Sequence, residues 1–263
     1  MIDLNLKGKT AVVCGSTQGI GLASAKQLAA QGANCVLVSR NEDALKLACT
    51  MLSSNDGQQH QYLVADFSEA QVLKATLETW LSQNEGAHIL INNTGGPAAG
   101  PIVEATTEQF LSAFTQHLLC NHILATCLLP FMKTQGYGRI INVVSTSVKI
   151  PLKNLGVSNT IRGAVASWAK TLSNEVARFG VTVNNVLPGA TSTNRLKSII
   201  DTKVEKTGNA IEKIEAEMLG EIPAGRFGSP EEIAGLIGFL ASPSGAYING
   251  TSTPVDGGRT GSL

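Results

Sequence analysis

Short apolar runs alternate along the chain with longer stretches in which apolar residues recur every three or four positions. Six runs are dense in Val and Ile and end in Gly, Ser, Asp or Asn: TAVVCG (10–15), NCVLVS (34–39), QYLVAD (61–66), HILINNTG (88–95), GRIINVVS (138–145) and VTVNNVLPG (181–189). Runs that are apolar along their whole length are typical of strands covered on both faces. TSTPVDGG (251–258) predicts a last short strand.

Helical periodicity follows the strands, over about 19–31, 42–53, 69–83, 107–133 and 158–179. In the last stretch the apolar residues recur at spacings of four, three, four and four, which predicts one buried helix face: Ile161, Val165, Trp168, Leu172 and Val176. Strands separated by helices predict an α/β fold, a doubly wound Rossmann-like parallel sheet with helices on both faces. No repeat or biased linker divides the chain, so we expect a single domain over 1–263.

The segment 194–222 differs from the rest of the chain because it is charged and only weakly amphipathic. It follows the sixth strand, and ligands of open α/β sheets bind outside the carboxyl ends of the strands. An insertion there would overhang the binding crevice. Two interpretations stay open: a mobile substrate lid, or a solvated pair of surface helices.

Composition removes several classes of partner. Hydrophobic residues make up 43% of the chain and charged residues 15%, while 20 basic side chains balance 20 acidic ones. A neutral chain has no global field for nucleic acid. The longest apolar stretch, ILATCLLPFM, has ten residues, against about 20 for a membrane span. With no signal peptide at the N-terminus, we expect a cytoplasmic protein without nucleic-acid or membrane partners.

Cysteine and histidine usage points away from disulfides and metals. The five cysteines are odd in number and lie mostly in apolar runs, as reduced core thiols do. His117 and His122 are five residues apart and would diverge on a helix. No ligand-pair spacing for zinc is present, so the sequence predicts no metal site.

A glycine-rich string, CGSTQGIG (14–21), joins the first strand to the first helix. Gly15, Gly19 and Gly21 allow a tight turn and a close backbone approach to a ligand, and the amides of the following helix would face a pyrophosphate. This placement predicts a dinucleotide site. A purely structural strand-to-helix turn is the alternative.

The second strand ends at Ser39, Arg40 and Asn41, where an acidic side chain would hold a ribose 2′-hydroxyl. Arg40 instead offers a guanidinium suited to a 2′-phosphate, with Ser39 as an additional donor. The sequence therefore favours NADP(H) over NAD(H), which stays an alternative. Arg40 as an ordinary exposed residue is the other interpretation.

Five motifs in order resemble the short-chain dehydrogenase/reductase family. CGSTQGIG is similar to its Thr-Gly-x-x-x-Gly-Ile-Gly, and INNTGG (91–96) to its Asn-Asn-Ala-Gly, with Thr94 in place of Ala. NVLPGATST (185–193), GRFGSPEEIAGLIGFLAS and YINGTSTPVDGG resemble its later blocks, and Asp66 matches the position near adenine. Within the family the chain is most similar to 3-oxoacyl-acyl-carrier-protein reductases.

The resemblance implies a seven-stranded parallel sheet, a homo-oligomer (tetramer or dimer), and hydride transfer between a nicotinamide and a small carbonyl or alcohol substrate. It places the cofactor contacts on Gly15, Ser16, Thr17, Gln18, Gly19, Ile20, Gly21, Ser39, Arg40, Asp66, Phe67, Asn93, Thr94, Gly95, Arg162, Pro188, Gly189 and Thr193.

The family's catalytic Asn, Ser, Tyr and Lys fall, by the same resemblance, on Asn121, Ser145, Ser158 and Arg162. Glu175, 13 residues after Arg162, fixes this register independently. Two of the four residues therefore depart from the family pattern. A serine hydroxyl is a weaker acid than a phenol and reaches less far, and Arg is a permanent cation that cannot join a proton relay.

Several roles remain open for this group. Lys149, four residues after Ser145, would be a substitute proton donor if desolvated beside Arg162; a solvent-facing loop lysine is the alternative. Ser158 could equally cap its helix, and Arg162 could be a surface or interface residue. The loop NTGGPAAGP (93–101) would either accommodate a bulky substrate or serve as a rigid connector.

Three functional hypotheses follow. The first is an NADP(H)-dependent oxidoreductase with a rearranged catalytic group, acting on a 3-oxoacyl thioester-like substrate or another ketone. The second is a non-catalytic dinucleotide-binding protein, a sensor or assembly partner. In the third, the cleft has lost nicotinamide binding and serves another ligand.

Overall fold

A computed structural model describes residues 1–262 and contains one parallel sheet. Its strands are β1 (Thr10–Cys14), β2 (Asn34–Ser39), β3 (Gln61–Val64), β4 (Ile89–Asn92), β5 (Gly138–Val143), β6 (Val181–Pro188) and β7 (Ser252–Val255). The order across the sheet is β3-β2-β1-β4-β5-β6-β7, and every adjacent pair is parallel. The predicted seven-stranded, doubly wound α/β fold is confirmed.

Helices cover both faces of this sheet. They are α1 (Gly19–Ala30), α2 (Glu42–Thr50), α3 (Ala70–Leu81), α4 (Thr107–Phe114), α5 (Cys120–Gln135), α6 (Gly156–Val176), α7 (Asn194–Thr207), α8 (Ile211–Gly220) and α9 (Pro230–Ala241). Side chains of α1, α2 and α9 form one apolar core with the sheet, and those of α3, α5 and α6 form a second on the opposite face. Burial on both faces explains why the strand sequences are continuously apolar.

The long helix predicted over 107–133 is interrupted. A π-helical turn, Thr115–Leu119, joins α4 to α5. Such a turn adds a residue to the helical repeat and rotates the side chains on either side of it, and it frequently occurs at functional sites. His117 is buried within this turn.

A row of three buried amides and one half-buried hydroxyl crosses four neighbouring strands. Asn92 donates to Asn142 (2.8 Å), Asn142 to Asn185 (2.9 Å), and Asn185 to the Ser252 hydroxyl (3.1 Å). These four residues are also direct partners in the strand register. The pairing satisfies most of the polar groups in the row, which would be costly to bury alone; the side-chain oxygen of Asn92 has no partner within residues 1–262.

Helices α7 and α8 account for most of the predicted insertion at 194–222. Leu196, Ile200 and Ile214 form a small apolar cluster of their own between the two helices. The predicted helix pair is therefore present, and its outer surface is largely exposed. Its role as a substrate lid stays a prediction.

Candidate active site

The glycine loop, residues 14–21, has the geometry of a phosphate cradle. Gly15 and Gly19 have positive φ angles of 57° and 53°. A Cβ on Gly21 would stand 2.1 Å from the carbonyl oxygen of Gly15, and one on Gly15 would stand 2.5 Å from that of Asn93. Only glycine fits these positions, because the loop packs backbone against backbone.

The glycine loop is hydrogen-bonded to the residue that follows β4, and the backbone amides at the start of α1 have no side-chain cap. Asn93 donates its side-chain amide to the carbonyls of Cys14 (3.3 Å) and Gly15 (3.2 Å). The buried Ser16 hydroxyl has no partner among residues 1–262. No side chain caps the N-terminus of α1, whose cap position is Gln18. Its first amides are therefore available to an anion.

The remaining loop residues line the same turn. Thr17 and Ile20 are half-buried and Gln18 is exposed. On the sheet side, Gly95 has open space where a Cβ would stand. The predicted cofactor contacts from 15 to 21 and from 93 to 95 thus lie on two adjoining loops at the carboxyl ends of β1 and β4.

At the far end of this crevice Arg40 reaches into solvent. Its side chain is 79% exposed, and its Nη1 lies 4.0 Å from an Asp66 carboxylate oxygen. Hydrogen bonds from Ser68 lower the pKa of Asp66, with a smaller contribution from Arg40. Ser39 is half-buried at the end of β2, and Phe67 is buried in the core beneath. The interpretation of Arg40 as an exposed cation is thus compatible with its predicted role at a 2′-phosphate.

Ser145 lies two residues beyond β5. Its hydroxyl oxygen accepts a hydrogen bond from the Ser147 amide at 3.1 Å, so the hydroxyl hydrogen stays available to a ligand. The side chain is half-buried. This geometry suits a hydrogen-bond donor to a carbonyl oxygen.

Helix α6 begins two residues earlier than predicted. Leu155 occupies its cap position, so the alternative in which Ser158 caps the helix is wrong: Ser158 is the third helical residue and half-buried. The early start follows from backbone hydrogen bonds between Gly100 and the turn at Asn154 and Gly156, which fasten the 93–101 loop to the helix.

Arg162 is not the surface residue that one interpretation allowed. Its Nη1 donates to the carbonyl of Val143 at 2.8 Å, and its Nε is fully enclosed without a partner among residues 1–262. Burial, reinforced by the positive charge of Arg195, lowers the pKa of Arg162 to about 10. The side chain nonetheless stays charged at neutral pH, fixed at the end of β5 beside Ser145.

His117 is the residue that sequence reasoning missed. Its Nδ1 shares a 2.6 Å hydrogen bond with the Thr94 hydroxyl. Burial, and then the charge of Arg162, lower the pKa of His117 to about 3, so its imidazole is neutral. The signal was Thr94 itself, because a half-buried hydroxyl in place of the family's Ala needs a partner. Asn121 is buried beyond the π turn, and its catalytic role stays a prediction.

Lys149 does not meet the condition set for a proton donor. It follows a short 3₁₀ turn after Ser145 and is exposed to solvent. The desolvation that the prediction required is absent, so the solvent-facing alternative describes Lys149.

The start of α7 closes over the crevice. Thr193 caps the helix and lies against Gly19, where a Cβ would stand 3.3 Å from the threonine methyl. Asn194 donates to the Gln18 side chain (2.8 Å), and Arg195 donates to the Pro97 carbonyl (2.6 Å). One helix end therefore touches both the glycine loop and the 93–101 loop.

The turn that leads to α7 is also packed backbone to backbone. Pro188 ends β6, and the amide of Gly189 donates to the carbonyl of Val255 at 3.0 Å. A Cβ on Gly189 would stand 2.7 Å from the Cα of Asp256. This Pro-Gly turn thus fixes where the segment toward Thr193 crosses the sheet edge.

Neither a metal cluster nor a membrane helix is found in the part of the chain that the structure describes. No group of three or more His, Cys, Asp or Glu side chains within residues 1–262 is placed to hold a metal ion. Over the same residues, no helix has both the length and the apolar character to cross a membrane.

Comparisons with known proteins match this geometry. Residues 15–260 match the family model described as Enoyl-(Acyl carrier protein) reductase. The chain is 32% identical over 257 residues to the 3-oxoacyl-[acyl-carrier-protein] reductase FabG of Vibrio cholerae, covering 97% of this chain and 98% of the relative. It is also 32% identical over 260 residues to a 2,3-dihydroxy-2,3-dihydro-p-cumate dehydrogenase of Pseudomonas putida, covering 98% and 96%.

Among solved structures, the L-sorbose reductase of Gluconobacter frateurii in complex with NADPH and L-sorbose superposes with a TM-score of 0.92. That alignment covers 99% of this chain and 100% of the other, at 32% identity. The similarity thus extends over the sheet, the glycine loop and the helices that close the crevice.

Proposed function

The chain belongs to the short-chain dehydrogenase/reductase family, and from that premise we propose that it is an oxidoreductase that binds NADP(H) and acts on a carbonyl or alcohol group. The observation that carries the proposal is the glycine loop: a backbone cradle that excludes any Cβ, next to an uncapped helix N-terminus. Such a cradle suits a pyrophosphate.

The residues present fit the cofactor. The glycine loop and Ser16 would hold the pyrophosphate, Arg40 and Ser39 the 2′-phosphate, and Asp66 the adenine side. When bound, the nicotinamide supplies or accepts the hydride. NADH remains the alternative, since Arg40 is exposed and costs little to leave without a phosphate.

The reacting group would be polarised mainly by Ser145, whose free hydroxyl hydrogen can donate to a carbonyl oxygen. Ser158 lies on α6 one turn before Arg162, and its hydroxyl is too short and too weakly acidic to act as a phenol does. Arg162 contributes a fixed charge rather than a proton. We therefore expect slow turnover in which solvent delivers the proton.

The first experiment is titration of the protein with NADPH and NADH by calorimetry, followed by spectroscopic turnover assays on ketones and 3-oxoacyl thioesters. We expect NADPH to bind more tightly than NADH, and slow consumption with at least one substrate class. NADPH binding without consumption across the panel would favour the second hypothesis, a non-catalytic dinucleotide-binding protein. That hypothesis is supported by Ser158 and Arg162 themselves.

The missing relay can also be restored. The double change Ser158→Tyr with Arg162→Lys should raise kcat by up to about 10²–10⁴, the usual contribution of general acid–base catalysis. Ser158→Phe with Arg162→Lys is the matched control, because it adds the ring without the acidic hydroxyl. Equal rates in both double variants would show that the cleft has diverged beyond these two positions.

Three further features belong to the proposal. The α7–α8 pair would act as a substrate lid within one dinucleotide-binding unit.

The exposed apolar side chains of Leu111, Phe114 and Leu119, on α4 and the π turn, support a homo-oligomer. Light scattering would measure it as a dimer or tetramer. Five unpaired thiols support a cytoplasmic location.

A further inference from the structure

Two arginines from different elements converge on one point of the 93–101 loop. A Cβ built on Gly96 would lie 3.6 Å from Nη2 of Arg162 and 3.5 Å from Nη2 of Arg195. Both nitrogens therefore lie within van der Waals contact distance of the same point in the loop. Arg162 comes from α6 and Arg195 from the first turn of α7.

The two positive charges have no counter-charge. Neither guanidinium forms an ion pair with a carboxylate within residues 1–262, whereas Arg40 and Arg226 do. Their protein partners are backbone carbonyls, those of Val143 and Pro97. Arg195 is exposed and Arg162 is half-buried. Partial desolvation lowers the pKa of both arginines, and for Arg162 the charge of Arg195 lowers it further.

We propose that Arg162 and Arg195 form a binding site for an oxyanion, a carboxylate or phosphate group carried by the substrate. This inference rests on the proposed function and specifies its substrate class as anionic carbonyl compounds or alcohols. An oxyanion between the two guanidiniums would relieve their repulsion and accept hydrogen bonds from both.

The surroundings hold the site open and shape it. Arg162 is held through its Nη1 by Val143, while its Nη2 beside Gly96 is left to a ligand. A Cβ at position 96 would already be in van der Waals contact with both arginines, so a side chain larger than that of Ala would occupy the space between them that Gly96 leaves clear. Because Arg195 lies on the α7–α8 helix pair, binding of the anion would also hold this lid against the 93–101 loop.

The cofactor also carries oxyanions, and its phosphates are the competing source. The glycine loop already presents uncapped amides for a pyrophosphate. Arg162, by contrast, is bonded to Val143 at the end of β5, two residues before Ser145, the residue that would touch the reacting carbonyl. This placement favours the substrate as the source of the anion.

The test is calorimetric titration of NADP⁺-saturated protein with inorganic phosphate and with succinate at low ionic strength. We expect binding that Arg195→Gln weakens by about 10–100-fold, as expected for losing hydrogen bonds to a charged group, and that Arg195→Lys weakens less. Lys197→Gln is the matched control: it removes an exposed cation from the same helix and should leave binding unchanged. Arg162→Gln should weaken binding as Arg195→Gln does.

Three results would overturn the proposal. The anions could bind only the cofactor-free protein and be expelled by NADP⁺, which would assign the arginines to the cofactor's phosphates. Arg195→Gln and Lys197→Gln could weaken binding equally, which would indicate diffuse surface charge. A protein that binds NADP⁺ could fail to bind either anion. Arg195-dependent anion binding in a protein that binds no dinucleotide would support the oxyanion site and overturn the proposed function instead.

Discussion

The two ends of the ligand crevice carry arginines in opposite electrostatic settings. At one end Arg40 is solvated and lies near the Asp66 carboxylate. At the other end the half-buried Arg162 lies across Gly96 from the exposed Arg195, and no carboxylate within residues 1–262 pairs with either. A solvated charge costs little to leave unpaired, whereas the half-buried charge of Arg162 beside a second positive charge is unfavourable until an anion joins them.

The two ends would therefore serve different purposes: one adds to the affinity for the cofactor, and the other determines which substrate binds. The Arg40 end follows the family pattern and would add binding energy to a cofactor through a solvated contact. The Arg162 end departs from the pattern at Thr94, Ser158 and Arg162. Two of these departures, Thr94 and Arg162, are linked in space through His117, which bonds Thr94 and whose pKa the charge of Arg162 lowers. They are therefore more consistent with a rebuilt pocket than with independent losses.

The largest expected effect comes from filling the cradle that both ends share. Gly21→Val would place a side chain 2.1 Å from a backbone oxygen, at a cost of about 3 kcal/mol in stability and with loss of measurable NADPH binding. Calorimetry checks the binding, and thermal unfolding checks that the variant is folded. Gly261→Ala, where a Cβ meets nothing within 4 Å, is the control.

The next effect tests the solvated end alone. Arg40→Gln should weaken NADPH binding by about 10–100-fold through loss of a charge-assisted contact and should leave NADH binding nearly unchanged. Lys7→Gln removes an exposed cation that precedes β1, at the amino ends of the strands and away from the crevice. This control should change the binding of neither nucleotide. Equal losses for both nucleotides would contradict the assignment of Arg40 to a 2′-phosphate.

A pH experiment tests the enclosed end. The pKa of His117 falls from 6.5 to about 3 on folding, so the unfolded chain binds more protons between these values. The contribution of His117 to the free energy of unfolding is therefore complete above about pH 6.5 and is lost as the pH falls toward 3. His117→Asn should reduce this acid sensitivity by on the order of 3 kcal/mol, measured by denaturant unfolding at pH 7 and pH 4.

His88 provides the internal reference for that experiment. Burial lowers its pKa to about 4, and it is present in both proteins, so only the difference between them reports on His117. If the free energy of unfolding fell equally with pH in the unchanged protein and in the His117→Asn variant, His117 would not be kept neutral by its surroundings.

The smallest expected effect concerns the contact between the two loops. Asn194→Ala removes the hydrogen bond to Gln18, which is exposed and worth about 1 kcal/mol. We expect NADPH to dissociate a few-fold faster, measured by stopped-flow fluorescence, with little change in stability. An unchanged dissociation rate would show that α7 does not restrain the cofactor.

The sheet and the glycine loop could be predicted because their signals are local. A continuous apolar run needs no knowledge of its neighbours, and Gly15 and Gly21 are required by the turn that contains them. The start of α6 was misplaced because it depends on a distant loop: Gly156 packs so closely on Ile102 that a Cβ would stand 2.5 Å from it. That contact does not show in the helical periodicity.

The enclosed end of the crevice was only partly predictable for the same reason. The register placed Arg162 on α6, where the structure has it bonded to the end of β5, but His117 depends on a π turn that no spacing rule indicates. Arg195 was not singled out, because its proximity to Arg162 arises only when α7 folds back over the 93–101 loop. Residues brought together by long crossovers need the tertiary structure.

The row of amides from Asn92 to Ser252 has a consequence for how the chain reaches this state. Valine- and isoleucine-rich strands can slide past each other by two residues and still keep the same side chains in the core. Here such a slide would set Asn142 and Asn185 opposite aliphatic neighbours, leaving buried amides unpaired. Misaligned sheets would therefore be less stable than the native sheet and short-lived. During folding, the amides would thus favour the one correct register of the four strands.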